Sequence, residues 1–125
     1  MVIFSGKVTG GNKLGRRLGF PTANLMVSEL FPAANGVYAA RVVIEGKKYE
    51  AMANLGYKPS VAEGSRRVLE TNLFGFDGDL YGETIEVELL AFIRPELRFD
   101  SFDALREALA RDREVVEAIF RNKQL

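Results

Sequence analysis

Apolar and polar residues alternate with a period of two along most of the chain and change to helical spacing only near its end. Val2–Val8 reads as a short strand, and Gly36–Ile44, rich in Val, Ala and Tyr, as another. A Glu45-Gly46 turn leads into Lys47–Asn54, where Tyr49, Ala51 and Ala53 share a face. Arg67–Phe74 places Leu69, Thr71 and Leu73 on one side and Val68, Glu70, Asn72 and Phe74 on the other. In Thr84–Phe92, Ile85, Val87, Leu89 and Ala91 point one way, and Glu86 and Glu88 form a solvated face. Gly6–Gly19 and Gly56–Ser65 read as loops, and Gly75–Gly82 as a turn built on Asp77-Gly78. Ser101 reads as a helix cap with Asp103 in the first turn, followed by Phe102, Leu105 and Leu109 at helical spacing. Asp112 reads as the cap of a second short helix carrying Val115, Val116, Ile119 and Phe120. Five or six closely spaced strands and a terminal helical segment predict one domain over residues 1–125. It is dominated by β-structure, an antiparallel sheet closed into a small barrel with the helical segment packed outside.

Two absences narrow the chemistry. The chain has no cysteine, which removes disulfides, thiolate metal sites and thiol nucleophiles. It also has no histidine, so a general base must come from the carboxylates, or less often from Lys or Tyr. A metal would be held by oxygen, which suits Mg²⁺ and not zinc. No apolar run is long enough to span a bilayer, and the expected setting is cytoplasmic. The net charge is zero, which argues against nucleic acid and membrane surfaces as partners. The charge is nevertheless uneven. Residues 1–28 carry Lys7, Lys13, Arg16 and Arg17 and no acidic residue, whereas all 17 acidic side chains follow, with the rest of the 17 basic ones. This basic N-terminal patch points to a small anionic ligand.

Three groups of residues carry candidate chemistry. The first is the glycine-rich basic loop, including Gly11, Gly15, Arg16 and Gly19. Its backbone N–H groups can approach phosphate oxygens while its cations neutralise them. It is not a P-loop, because Arg16-Arg17 stands where Lys-Ser/Thr is required, and it contains no G-x-G-x-x-G. Composition alone leaves a solvated surface loop equally open. The second group follows Pro21: Thr22 and Asn24, two residues apart on an extended segment, point to one side and offer neutral oxygens to Mg²⁺ beside a triphosphate. Turn chemistry after a proline is the competing reading. The third is Glu70, a carboxylate among apolar neighbours, which is either a solvent-facing strand residue or a partly desolvated base.

Taken in order, these stretches resemble the riboflavin kinase family. The match begins with Gly15-Arg16-Arg17-Leu18-Gly19-Phe20-Pro21-Thr22-Ala23-Asn24 and continues through Gly36-Val37-Tyr38-Ala39 and Asn54-Leu55-Gly56. Lys58-Pro59-Ser60, Glu70, Asp79-Leu80-Tyr81-Gly82, Ile93-Arg94, Phe99 and Asp112 complete it, over nearly the whole chain. The Pro-Thr-Ala-Asn segment is the most specific part. The resemblance implies a six-stranded antiparallel Greek-key barrel with a C-terminal helix. It implies transfer of the ATP γ-phosphate to the ribityl 5′-hydroxyl of riboflavin, giving FMN and ADP. In that reading Thr22 and Asn24 bind Mg²⁺ and the phosphates, and Gly11, Gly15, Arg16, Gly19, Pro21 and Asn54 belong to the nucleotide site. Glu70 is the base, and the flavin slot lies between the barrel and the helical segment. Four positions depart from many relatives: Gly10 and Asn72 stand where His is common, Gly75 where Asp is common, and Ser60 where Thr is common.

The family's kinase is in many bacteria fused behind an adenylyltransferase domain that uses a His-x-Gly-His type motif. A chain without histidine that starts on the first kinase strand is expected to be either a stand-alone kinase or an excised C-terminal module. Two other readings remain. An oligonucleotide-binding barrel would use the basic loop to track phosphates and aromatics to stack bases. A flavin-binding barrel without catalysis would bind FMN with no need of Mg²⁺ or ATP.

Overall fold

The structure is a computed structural model that describes residues 2–10, 22–60, 64–76 and 78–122. Six strands, β1 (Val2–Gly10), β2 (Thr22–Met26), β3 (Gly36–Ile44), β4 (Lys47–Ser60), β5 (Gly64–Leu73) and β6 (Thr84–Pro95), precede one helix, α1 (Phe102–Arg121). They close into a barrel in the order β1-β2-β5-β4-β3-β6, and every adjacent pair is antiparallel. The hairpin-linked run β3-β4-β5 is flanked by β2, reached by a connection across the barrel end, which is Greek-key topology.

The period-two pattern fills the barrel as expected. Leu25, Ala40, Val42, Ala51, Ala53, Leu55, Leu69, Ile85 and Val87 are buried inside it, with Thr71. Six strands enclose a narrow interior, and the run of alanines on β3 and β4 leaves room for the larger residues. Thr71 adds a polar tie: its hydroxyl donates to the Ala23 carbonyl at 3.1 Å and holds the short strand β2 from within.

The alternate residues face outward, and α1 covers part of that face. Ala108, Asp112 and Val116 lie on one buried stripe of the helix, at spacing four. Val116 joins Val37, Ala39 and Met52, with Phe74, Ala91, Ile93, Leu109 and Phe120 around them. Ser101 caps the helix as expected, its Oγ accepting from the Ala104 N–H at 3.1 Å, a bond worth about 1 kcal/mol.

Five expectations are corrected. Residues 6–10 do not open the expected Gly6–Gly19 loop but continue β1, paired with β6 and β2. Asp112 does not start a second helix; it lies in the middle of a continuous one, where Arg94 receives its carboxylate in a two-pronged pair. Residues 56–65 are not all loop, because β4 and β5 stay paired out to Ser60 and Gly64. Pro59 lacks the N–H of an ordinary ladder residue, which the end of a hairpin tolerates. Ala91 does not share the interior with Leu89. Ala39 and Ala40 pair with Ala91 and Leu89, so β6 carries an extra residue there and its pattern reverses. Glu88 is also less solvated than its strand pattern suggests: it meets Arg41 at 3.4 Å. Among the described residues no helix is long and apolar enough to cross a membrane.

Candidate active site on the outer face of the barrel

The β2–β5–β4 part of the sheet brings the separate candidates together. Asn24 pairs with Glu70 across β2 and β5, and Glu70 pairs with Asn54 across β5 and β4. Directly opposed residues point to the same side of a sheet. Asn24, Glu70 and Asn54 therefore form one row on the outer face, with the carboxylate between two amides. One step along the strands, Thr22 pairs with Asn72, and Asn72 with Met52. Thr22, Asn24, Glu70 and Asn72 make a four-cornered polar patch, about 5 Å across the strands and about 7 Å along them.

The patch is sheltered. Glu70 is 7% exposed and Asn72 4%. The Asn24 Oδ1 is buried and accepts no hydrogen bond from a described residue. Leaving an acceptor in that state costs about 1–3 kcal/mol, so it marks a place prepared for a partner. A side-chain carbonyl oxygen suits a hard divalent cation such as Mg²⁺, and the neighbouring Thr22 hydroxyl is of the same kind. Among the described residues no cluster of three or more carboxylates could hold a metal unaided. Neutral ligands fit a cation that arrives with phosphate oxygens already bound.

The connection over residues 11–21 leaves from Gly10, which pairs with Asn24, and returns at Thr22. Both its ends are thus at the patch. Gly11, Gly15, Arg16, Gly19 and Pro21, the remaining expected nucleotide residues, lie outside the described residues.

On the opposite flank, the helix closes flush on β3, β4 and β6 through Val116 and its apolar neighbours. Arg94 fixes its height: Nε donates to Asp112 Oδ1 at 2.8 Å and Nη2 to Oδ2 at 2.7 Å. Arg94 sits opposite Val37, itself opposite Asn54, so this anchor ends the Asn24–Glu70–Asn54 row. Arg113, one residue after Asp112, stacks over the Phe74 ring at 5.1 Å, just past the end of the strand that carries Glu70. A cavity of about 420 Å³ is lined by Tyr57, Glu96, Leu97 and Arg98. The Glu96 carboxylate lies over Gly56, where a Cβ would collide with it. Tyr57 donates to Glu29, and this bond, more than burial, raises the phenol above its ordinary pKa.

Sequence reasoning missed Asn72 as a site residue, along with Glu96 and the Arg94–Asp112 anchor. Asn72 was legible in part, since it shares a strand face with Glu70. The other two come together only through the crossing of β6 and α1.

The riboflavin kinase (flavokinase) family model matches residues 1–120. A bifunctional riboflavin kinase/FMN adenylyltransferase of Buchnera aphidicola is 43% identical over 118 residues, covering 93% of this chain and 38% of that protein. A crystal structure described as a macrolide-efflux protein from Streptococcus pneumoniae is 40% identical with a TM-score of 0.79, over 92% of this chain and 38% of the other. The riboflavin kinase of Trypanosoma brucei is 26% identical with a TM-score of 0.67, over 98% of this chain and 82% of the other. The chain spans well under half of the bifunctional relative's length. By the family model and by the order of its own motifs on one barrel face, the chain belongs to the riboflavin kinase family.

Proposed function

We propose that this chain transfers the γ-phosphoryl group of ATP to the 5′-hydroxyl of riboflavin, giving FMN and ADP. The observation that carries the reading is the row Asn24–Glu70–Asn54, with Thr22 beside it and the Asn24 Oδ1 without a described partner. Phosphoryl transfer asks a protein for positioning and charge neutralisation more than for covalent chemistry. Thr22 and Asn24 would hold Mg²⁺, which when bound offsets the charge of the β- and γ-phosphates. The basic connection, through Gly11, Gly15, Arg16, Gly19 and Pro21, covers the nucleotide and supplies backbone N–H groups and cations.

Glu70 orients the acceptor alcohol and accepts its proton. Its place on a strand, paired on both sides, fixes the direction of the carboxylate, and its burial limits competing water. Asn54 lies on the far side of Glu70 from the metal ligands and helps position the alcohol or its nucleotide partner. The cavity at Tyr57, Glu96, Leu97 and Arg98 offers apolar surface and a few polar groups, the combination a planar ring with imide edges requires.

The test is incubation of the purified chain with riboflavin and ATP, with and without Mg²⁺, and chromatographic separation of flavins and nucleotides. FMN and ADP formed in equal amounts only with Mg²⁺ support the reading. Flavin binding without turnover would leave a non-catalytic barrel.

A further inference from the structure

Asn72 is the fourth corner of the polar patch, and the proposed reaction has not yet used it. It pairs with the metal-ligand candidate Thr22 on one side and with Met52 on the other, and it stands two residues beyond Glu70 on the same face of β5. It is 4% exposed. A strand residue packed only for shape against Met52 would more simply be apolar, because burying an amide carries a desolvation cost that an apolar side chain of the same size does not.

The needs of the neighbouring groups show what the amide can supply. Thr22 and Asn24 turn oxygens toward a cation. Glu70 is an anion that takes a proton. The group in transit between them carries anionic oxygens and must come close to Glu70, a like charge. A fixed N–H donor at this corner would stabilise the charge on the moving group and reduce that repulsion, without itself titrating. Thr22 and Asn24 are committed to the cation through their oxygens and the Glu70 carboxylate has no N–H, whereas the Asn72 amide offers two N–H groups.

Building on the kinase reading, we propose that the Asn72 side chain donates a hydrogen bond to an oxygen of the phosphoryl group during transfer. The step leaves the balance of the reaction unchanged: the O–P bond to ADP breaks, the O–P bond to the ribityl oxygen forms, and the proton goes to Glu70.

The experiment compares Asn72→Leu, Asn72→Asp and Asn72→His with the wild-type chain. Steady-state kinetics are measured with riboflavin and MgATP, alongside binding of MgADP with and without aluminium fluoride, a planar anionic mimic of the group in transit. Thermal unfolding checks that each variant is folded. Asn72→Leu keeps the volume and removes the donor. Its kcat is expected to fall on the order of 10–100-fold with KM for both substrates within about threefold. Its binding of MgADP alone should be unchanged, and the gain from aluminium fluoride should be lost. Asn72→Asp, nearly isosteric and without N–H groups, should be at least as slow, and it carries the test if the leucine variant does not fold. Asn72→His restores an N–H donor and should retain kcat within about fivefold. A folded Asn72→Leu or Asn72→Asp with kcat within threefold of wild type overturns the proposal, as does a folded Asn72→His no faster than Asn72→Leu. A wild-type chain that makes no FMN overturns the kinase reading, and this inference with it. A wild-type chain that makes FMN at the same rate as Asn72→Leu overturns this inference alone.

Discussion

Asn24 and Glu70 face one another as Cα partners across β2 and β5, one a carbonyl oxygen without a described partner, the other a sheltered carboxylate. In the proposed reaction the pairing sets the cation ligand beside the base, so the two ends of the phosphoryl transfer would meet on one rung of the sheet. Five predictions follow from this face and from the elements that hold it.

Glu70→Gln keeps size and hydrogen-bonding capacity but removes basicity. The expected result is a fall in kcat of roughly 10²–10⁴ with little change in the binding of either substrate. A folded variant that retains more than about a third of wild-type kcat would remove Glu70 from proton transfer.

Asn24→Leu should move stability and activity in opposite directions. It replaces a buried oxygen without a described partner by an apolar group, so thermal unfolding should be unchanged or delayed, by up to about 1 kcal/mol. Loss of a cation ligand should raise the Mg²⁺ concentration needed for half-maximal rate by about tenfold or more. Thr22→Ala should shift the same Mg²⁺ titration, and an unshifted curve would reassign Thr22 to turn structure.

Asp112→Ala leaves the Arg94 guanidinium half-buried without its carboxylate. Removing one partner of such a pair costs about 3–5 kcal/mol, measurable as a lower midpoint in urea. The double change Arg94→Met with Asp112→Leu should recover most of that loss. If it does not, the pair holds more than the helix.

Gly36→Ala and Gly56→Ala separate backbone need from side-chain clearance. Gly36 has φ +153, and a Cβ there would strike the Arg94 carbonyl, so alanine should cost about 2–4 kcal/mol. A Cβ at Gly56 meets only the end of the exposed Glu96 side chain, which can swing away. Gly56→Ala should therefore stay within about 1 kcal/mol of wild type while raising KM for riboflavin, provided the neighbouring cavity takes the ring.

The chain alone should convert riboflavin to FMN and no further, because it has no histidine and hence no His-x-Gly-His motif for adenylyl transfer. Accumulation of FAD from riboflavin and MgATP with the purified chain would contradict this.

Much of the fold was legible because period-two alternation reports directly which side of a strand is wet. Leu69, Thr71 and Leu73 against Val68, Glu70, Asn72 and Phe74 is the division the barrel uses, interior against exterior. The Pro21-Thr22-Ala23-Asn24 segment and Glu70 stood out only through the resemblance to the family, since residue chemistry alone does not select Glu70 among 17 acidic side chains. The pattern failed at Ala91 because a bulge adds one residue and inverts the faces after it until a second shift, between Phe92 and Arg94, restores them, and alternation cannot count a residue that its partner strand does not match. It failed at Asp112 because a short polar side chain inside an apolar stripe looks like a boundary when its partner is unknown.

Local spacing determined five of the six strands, most of their buried faces and the helix cap at Ser101, and composition the oxygen-only chemistry of a chain without histidine or cysteine. The tertiary structure decided which residues meet. Asn24, Asn54 and Glu70 are far apart in the chain, and only the register of β2 on β5 and of β5 on β4 makes them a row. Register depends on hydrogen bonds and packing summed across whole strands, and Arg94 finds Asp112 only once β6 and α1 have crossed. Such contacts are set by closure of the barrel, a property of all six strands together, and no window of the sequence contains it.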